Sequence, residues 1–214
     1  MKMKNLLIAA VVVAALVPAT AQAAPNKVRN RDGSVPPKWD LAKPAAEDHP
    51  DVAPPSAGGS GDGTNNIAFT YFDDGDIIVT QGTLTGHAGE WDSYYYNGST
   101  YDNCVWSANT TPSNGVQREE PRKYRGYDEA YGLWVPSAST TKRTKARSYC
   151  RAQNGEPYNI TSLKSDQAHW YCSKLCWSSY KYTAAIDLDG NGGTYVWPID
   201  LVNDGQTAVF ARGY

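Results

Sequence analysis

The chain has 214 residues, with 20 basic and 22 acidic side chains and a net charge of −2 when the histidines are neutral. This mildly acidic balance argues against nucleic acid as a partner, because the sequence has no cluster of positive charge that could neutralise phosphates.

The first 23 residues have the three parts of a secretory signal peptide. Lys2 and Lys4 give a positive start, residues 6–17 are all apolar, and residues 21–23 form an Ala-x-Ala cleavage pattern. The apolar run is too short to cross a bilayer. We therefore predict a mature protein that begins at Ala24, is secreted to the cell exterior or envelope, and has no integral membrane association.

Residues 24–63 differ in composition from the rest of the chain. They hold seven of the 13 prolines and end in a Gly/Ser run. Bulky apolar residues are scarce, so this stretch cannot bury enough surface to offset its ordering entropy. We predict a disordered linker, with a pro-segment as the alternative, followed by one compact domain over residues 64–214.

Short runs of β-branched and aromatic residues predict strands in the first half of this domain. The runs are NIAFTYF, GDIIVTQG, HAGEWDSYYY, NCVWSANT and AYGLWVPSAS. Turn signals separate neighbouring runs at residues 73–75, Asp-Asp-Gly, and at residues 97–98, Asn-Gly. The second of these is typical of a hairpin.

The character of the sequence then becomes helical. SASTTKRTKARSYCRAQNGEPY offers Ser and Thr candidates for an N-cap and a glycine, Gly155, that could end a helix. A second helix is predicted at about residues 171–184, and TYVWPIDLV and QTAVFARG predict closing strands. This order of strands, two helices and final strands predicts an α+β fold.

Four cysteines are present: Cys104, Cys150, Cys172 and Cys176. In an exported chain, an even number favours two disulfides, for which three connectivities exist. Cys172 and Cys176 would lie one helical turn apart, where a bridge between them is strained. A metal site would use these two and His169, but no fourth ligand group follows at zinc-site spacing, so neither a metal nor a cofactor is predicted.

Cys172 is the candidate nucleophile. At a helix start, unpaired N–H groups favour the thiolate, and a neighbouring imidazolium lowers the thiol pKa further. Of the three histidines, His49 lies in the linker and His169 directly precedes the cysteine motif, which leaves His87 as the general base. Such a pair would attack a carbonyl and form an acyl-enzyme.

Motifs around both residues resemble those of the NlpC-type cysteine peptidases, papain-like hydrolases of which many act on bacterial cell-wall peptides. The motifs are Gly-Glu-Pro-Tyr at 155–158 and Tyr-Cys-Ser at 171–173. In the usual order of that family, the cysteine helix precedes the histidine strand.

The order of the motifs in this chain resembles the circularly permuted, YiiX-like branch of the family. Gly-Asp-Ile-Ile at 75–78 and Gly-His-Ala-Gly at 86–89 come before the cysteine motif. Val-Trp-Pro-Ile-Asp-Leu at 196–201 is similar to the segment that follows the cysteine helix in that branch. The resemblance covers about residues 67–207.

The resemblance implies a permuted papain-like fold, an antiparallel sheet packed against two or three helices. It makes Cys172 the nucleophile and His87 the general base. Tyr158 would donate to the substrate carbonyl or oxyanion, with aromatic packing as the alternative role. The third polar residue of the family, which orients the histidine, corresponds to Ser107 by rough alignment. Glu90 is nearer in sequence but would face away from His87 in a strand.

The expected activity is that of a thiol hydrolase that cleaves an amide or ester bond, with peptidoglycan stem peptides as one substrate class. The expected partners are peptide, cell-wall or acyl substrates, and a monomer is expected. One alternative is a catalytically decayed, disulfide-stapled cell-wall or glycan-binding module. A further alternative is a lipid acyl-amide or ester acyltransferase.

Cys176 departs from the family pattern, which usually has an apolar residue at that position. If Cys172 stays free, a single bridge leaves one thiol over. Cys150 and Cys176, on the two predicted helices, are then the candidates for the bridge, and Cys104 would be a buried thiol.

Overall fold

The computed structural model describes residues 43–44, 64–82, 85–96, 98–99 and 101–214. The predicted signal peptide, residue Asn97 of the predicted hairpin turn, and all of the predicted linker except Lys43 and Pro44 lie outside the described residues. Among the helices that are described, none combines the length and the apolar character needed to cross a membrane.

The described domain contains six strands, three α-helices and one 3-10 helix. The strands are β1 (Ile77–Gln81), β2 (His87–Tyr96), β3 (Tyr101–Asn109), β4 (Gly115–Glu119), β5 (Glu129–Trp134) and β6 (Ala208–Gly213). The α-helices are α1 (Thr140–Ala152), α2 (Cys172–Ala184) and α3 (Pro198–Asn203), and the 3-10 helix is Pro121–Gly126.

The six strands form one antiparallel sheet in the order β4-β3-β2-β1-β5-β6. The predicted α+β class, with an antiparallel sheet and a few helices, is confirmed. Helices α1 and α2 pack on one another and on β2 and β3, so they cover one face of the sheet. On the other face, aromatic residues of the segment before β1 pack against Trp91.

Two predicted strands are wrong. Residues 66–72, NIAFTYF, are irregular, because both edges of β1 are already paired with β2 and β5. Instead, Phe72 packs against Trp91 with ring centroids 4.6 Å apart. The run TYVWPIDLV contains α3, which begins at Pro198, where the missing N–H costs nothing. The Asp200 carboxylate accepts the Trp197 N–H at 2.7 Å and caps this helix.

The two long helices begin where the sequence predicts. Ser139 is the N-cap of α1, and its hydroxyl accepts the Lys142 N–H at 3.3 Å. Helix α1 ends at Ala152, shortly before Gly155, which has a φ of +87°. Helix α2 begins at Cys172. Strand β4, in contrast, is not among the predicted elements.

The predicted Cys150–Cys176 bridge is wrong, because all four cysteines are free and buried. The Cys150 thiol points instead to the Glu90 carboxylate, at 3.2 Å. Glu90 is a residue of β2 whose side chain points towards α1 and α2, where it also accepts a hydrogen bond from the Ser179 hydroxyl. It therefore faces the helices, away from His87, as predicted.

Glu90 makes the stability of the domain depend on pH. Burial raises its pKa to about 8, against weaker opposing effects from Ser179, Cys150 and Arg147. A raised carboxyl pKa means that the protonated side chain stabilises the fold fully below about pH 4.5, and that this contribution is lost as the pH rises through about 8.

We predict that Glu90→Gln raises the free energy of unfolding at about pH 8.5 by more than about 1 kcal/mol and flattens its pH dependence. The amide keeps an acceptor for Ser179 and Cys150 but cannot ionise. Urea unfolding at about pH 5 and about pH 8.5 measures the effect, with the exposed Glu120→Gln as the control. An equal change in the free energy of unfolding between the two pH values for wild type and Glu90→Gln would contradict the prediction.

Candidate active site

Cys172 is the first residue of α2. Tyr171 precedes it in an extended conformation, with φ −127° and ψ 165°, so the chain turns into the helix at the cysteine. The sulfur receives hydrogen bonds from the backbone N–H groups of Ala88 and Ser173. The side chain is only 5% exposed. The thiol is thus held at the positive end of the helix, where a negative charge on sulfur is favoured.

His87 is the first residue of β2 and pairs with Thr80 of β1. Gly86, directly before it, has a φ of +70° and lies so close to the Thr80 carbonyl that an added Cβ would meet the oxygen at 2.0 Å, so this position requires glycine. Because α2 packs on β2, the first residue of the helix lies beside the first residue of the strand. His87 and Cys172 are joined there by a side-chain hydrogen bond, as the sequence predicts.

A carboxylate that the sequence analysis missed lies on the other side of the imidazole. The Nε2 atom of His87 is 2.9 Å from Oε2 of Glu119, the last residue of β4. Both side chains are almost fully buried, at 1% and 2% exposure. Because Nε2 faces this carboxylate, Nδ1 is the ring nitrogen that remains for the sulfur.

Further donors converge on Glu119 and hold it in place. The Tyr124 hydroxyl donates to Oε2 at 2.8 Å, and the Asn109 amide donates to Oε1 at 3.1 Å. The Lys123 ammonium also bonds Oε1. Although burial opposes ionisation, the positive charges and hydrogen bonds of His87 and Lys123 hold the pKa of this carboxyl well below its usual range. Glu119 is therefore a fixed negative charge.

Ser107, the predicted orienting residue, does contact the histidine. Its Oγ lies 3.2 Å from Nε2 of His87 and donates to the Ala88 carbonyl at 2.6 Å. The Ser107 oxygen can thus accept from the same N–H that Glu119 accepts. The charged partner is Glu119, and Ser107 supports it.

Burial lowers the pKa of His87, but the Glu119 charge and the hydrogen bonds to Cys172 and Glu119 outweigh burial and raise it to about 9. Burial raises the pKa of the Cys172 thiol, but its hydrogen bond to His87, the charge of the imidazolium and two backbone N–H groups lower it overall. The two shifts favour a thiolate–imidazolium pair at neutral pH. Such a pair is the reactive state of a cysteine nucleophile.

Tyr158 and His169 lie around the start of α2. Tyr158 forms a β-bridge with Trp170, and its half-buried ring packs against the cluster that contains Trp106 and Leu175. Its catalytic role stays a prediction. His169 is a surface residue: its side chain is 46% exposed, and Nδ1 lies 2.9 Å from the Asp166 carboxylate.

The metal alternative gains no support from the geometry. Across residues 64–214, apart from the few that are not described, no three His, Cys, Asp or Glu side chains are grouped so that they could hold a metal ion. Cys176, which that alternative would use, is fully buried one turn beyond Cys172. Burial raises the pKa of its thiol well above the usual value.

Comparison with known proteins gives sequence and structural similarities. No family model matches the chain. The uncharacterized protein YycO of Bacillus subtilis (strain 168) is 27% identical over 135 residues, which are 60% of this chain and 54% of YycO. The chain thus spans about half the length of that relative. The crystal structure of metalloprotein yiiX from Escherichia coli O157:H7, DUF1105, matches with a TM-score of 0.49 and 14% identity, over 64% of this chain and 95% of that chain.

We predict that Glu119→Gln slows alkylation of Cys172 by iodoacetamide at neutral pH by roughly tenfold or more. Without the carboxylate charge, the pKa of the buried His87 falls, the imidazolium is lost at neutral pH, and the pKa of the thiol rises. In the wild type, alkylation should persist well below pH 9, the ordinary pKa of the thiol. Rates measured from about pH 5 to about pH 9, with the alkylated cysteine located by mass spectrometry, test this.

Glu120→Gln is the matched control, because it removes the same charge from the neighbouring position, where the carboxylate is exposed. The pH profile of its alkylation rate should overlay that of the wild type. An unchanged profile for Glu119→Gln would show that the carboxylate does not set the protonation state of the pair.

Proposed function

We propose that this chain is an exported cysteine hydrolase of the permuted, NlpC-type papain-like class, which cleaves an amide or ester bond through an acyl-enzyme. The observation that carries the proposal is the series of contacts from Cys172 to His87 to Glu119: a thiol at a helix start, an imidazole beside it, and a buried carboxylate behind the imidazole. The histidine strand precedes the cysteine helix in the chain, which fits the permuted order.

Each residue has a defined task in this reaction. The Cys172 thiolate attacks the carbonyl carbon, the C–S bond forms, and the electron pair of the C=O bond moves to oxygen. When the adduct collapses, the bond to the leaving group breaks and the His87 imidazolium gives that group its proton. The neutral imidazole then takes a proton from water, which attacks the thioester carbonyl. The C–S bond breaks, the acid product leaves, and the Cys172 thiolate is restored beside the His87 imidazolium. Glu119 stays ionised throughout and stabilises the imidazolium.

The state of the cysteines separates this proposal from a disulfide-stapled binding module. A decayed module would be expected to hold its cysteines in closed bridges, whereas catalysis needs a free Cys172. All four thiols are free, and Cys172 is the one with a lowered pKa. Burial raises the pKa of the thiols of Cys104, Cys150 and Cys176, which makes them unreactive.

The substrate class rests on the family resemblance. Peptidoglycan stem peptides are the leading candidates for an exported protein of this type. An acyltransferase would form the same thioester and differ only in the acceptor, so adding alcohols or amines to the assay distinguishes transfer from hydrolysis.

We predict that Cys172→Ala abolishes turnover of an activated aryl ester and of cell-wall peptides, with a loss of roughly a thousandfold or more. Cys104→Ala is the matched control, because it removes a buried thiol on β3 that lies outside the site. Steady-state rates, corrected for the folded fraction, give the comparison. Turnover by Cys172→Ala equal to that of the wild type would contradict the proposed function.

A further inference from the structure

The hydroxyl of Tyr127 is buried and makes no hydrogen bond among the described residues. Tyr127 directly follows the 3-10 helix and is fully buried. Other buried tyrosines use their hydroxyls: Tyr124 donates to Glu119, and Tyr180 donates to the Gly75 carbonyl at 2.6 Å. A buried polar group without a partner carries a desolvation penalty that a phenylalanine would avoid, so its presence needs a reason.

The position of Tyr127 supplies a reason. Its ring lies nearly parallel to the His87 imidazole, with centroids 6.3 Å apart and planes 13° apart. Its backbone carbonyl is fixed by Asn65, whose side-chain amide donates to it at 2.8 Å. Burial raises the pKa of the Tyr127 hydroxyl, and the negative charges of Glu119 and Cys172 raise it further, so the hydroxyl stays protonated and able to donate.

The Tyr127 ring lies beside the same imidazole that bonds the Cys172 side chain, and its hydroxyl has no partner there. Within the described residues, the sulfur is bonded by His87 and by the N–H groups of Ala88 and Ser173, whereas the Tyr127 hydroxyl has no partner. Cys172 and His87 are themselves only 5% and 1% exposed, so a substrate carbonyl that reaches the sulfur must enter the buried region around the imidazole, which Tyr127 lines. In that region, the Tyr127 hydroxyl is a neutral donor whose hydrogen bond no described residue accepts.

We propose that Tyr127 is a further catalytic residue, whose hydroxyl donates a hydrogen bond to the carbonyl oxygen of the substrate when Cys172 attacks. The assignment rests on the proposed acyl-enzyme function. As the C–S bond forms, the electron pair of the C=O bond moves to oxygen, and the hydroxyl stabilises that charge without giving up its proton. The pair returns to the carbonyl when the leaving group departs. The hydroxyl can thus donate to the negative charge on the carbonyl oxygen, which exists only during the reaction.

Two reactions of Cys172 separate this role from a positioning role. Alkylation by iodoacetamide displaces iodide at a saturated carbon and forms no oxyanion, whereas acylation by an activated aryl ester passes through one. Tyr127→Phe removes only the hydroxyl. We expect it to slow acylation by roughly tenfold to a hundredfold and to leave the alkylation rate and its pH profile within about twofold of wild type.

The stability of Tyr127→Phe provides a second readout. Because the hydroxyl has no partner to lose, the urea midpoint should stay the same or rise. Tyr180→Phe is the matched control, since its hydroxyl is bonded far along α2 from Cys172. That variant should lose stability and keep both rates.

The outcomes separate the two proposals. Equal losses in acylation and alkylation would make Tyr127 a positioning residue and overturn the assignment, as would unchanged rates in both reactions. A specific loss of acylation in Tyr158→Phe, with Tyr127→Phe unaffected, would assign the donor to Tyr158. If the wild type is alkylated at Cys172 but is never acylated by any ester, the proposed function fails and this assignment fails with it.

Discussion

A carboxylate and an imidazole, both almost fully buried, meet at 2.9 Å between Glu119 and His87, and the chemistry of the site depends on that contact. Burial alone would leave the imidazole neutral, and a neutral imidazole would leave the Cys172 thiol protonated. The charge of Glu119 reverses the first effect and, through His87, the second. A pair of this kind is costly to bury unless each member is hydrogen-bonded. Here Glu119 has four donors, from His87, Tyr124, Asn109 and Lys123.

The sheet makes this arrangement possible by placing three neighbouring strands side by side. His87 begins β2, Ser107 lies on β3 and Glu119 ends β4, and these three strands are neighbours. Helix α2 then brings Cys172 to the start of β2 from the opposite layer. Each functional group is therefore attached to a regular element, which limits its freedom to move out of line. The rings of Tyr124 and Tyr127 stack near His87 and further limit the rotation of its imidazole.

Much of the fold could be predicted from local patterns. Alternating and β-branched runs located β1, β2, β3, β5 and β6, and a Ser N-cap located the start of α1. The pairing of Cys172 with His87 could be predicted from short motifs around both residues. The errors have physical causes. Residues 66–72 have strand-like composition, but whether a strand forms depends on a free edge, and β1 has none. The run that contains α3 is apolar enough for a strand, yet Pro198 and Asp200 favour a helix start.

The partner of the histidine could not be predicted from spacing along the chain. Ser107 and Glu119 lie on adjacent strands, and their convergence depends on the register in which β3 pairs with β4. The short sequence GVQRE has one apolar side chain followed by three polar residues, so no alternation indicates β4 or the direction of Glu119. The missing partner of the Tyr127 hydroxyl has no sequence signal at all, since it follows from packing.

The ultraviolet absorption of the thiolate at neutral pH, compared between the native wild-type protein and Cys172→Ser, measures whether His87 and Glu119 ionise Cys172. Because the pKa values of the other three thiols are raised by burial, we expect one thiolate in the wild type and none in the variant. The difference should disappear in the His87→Ala background, where the single variant His87→Ala is compared with the double variant His87→Ala/Cys172→Ser. Identical spectra for wild type and Cys172→Ser at neutral pH would mean that Cys172 is protonated, and that the contact between His87 and Glu119 does not activate it.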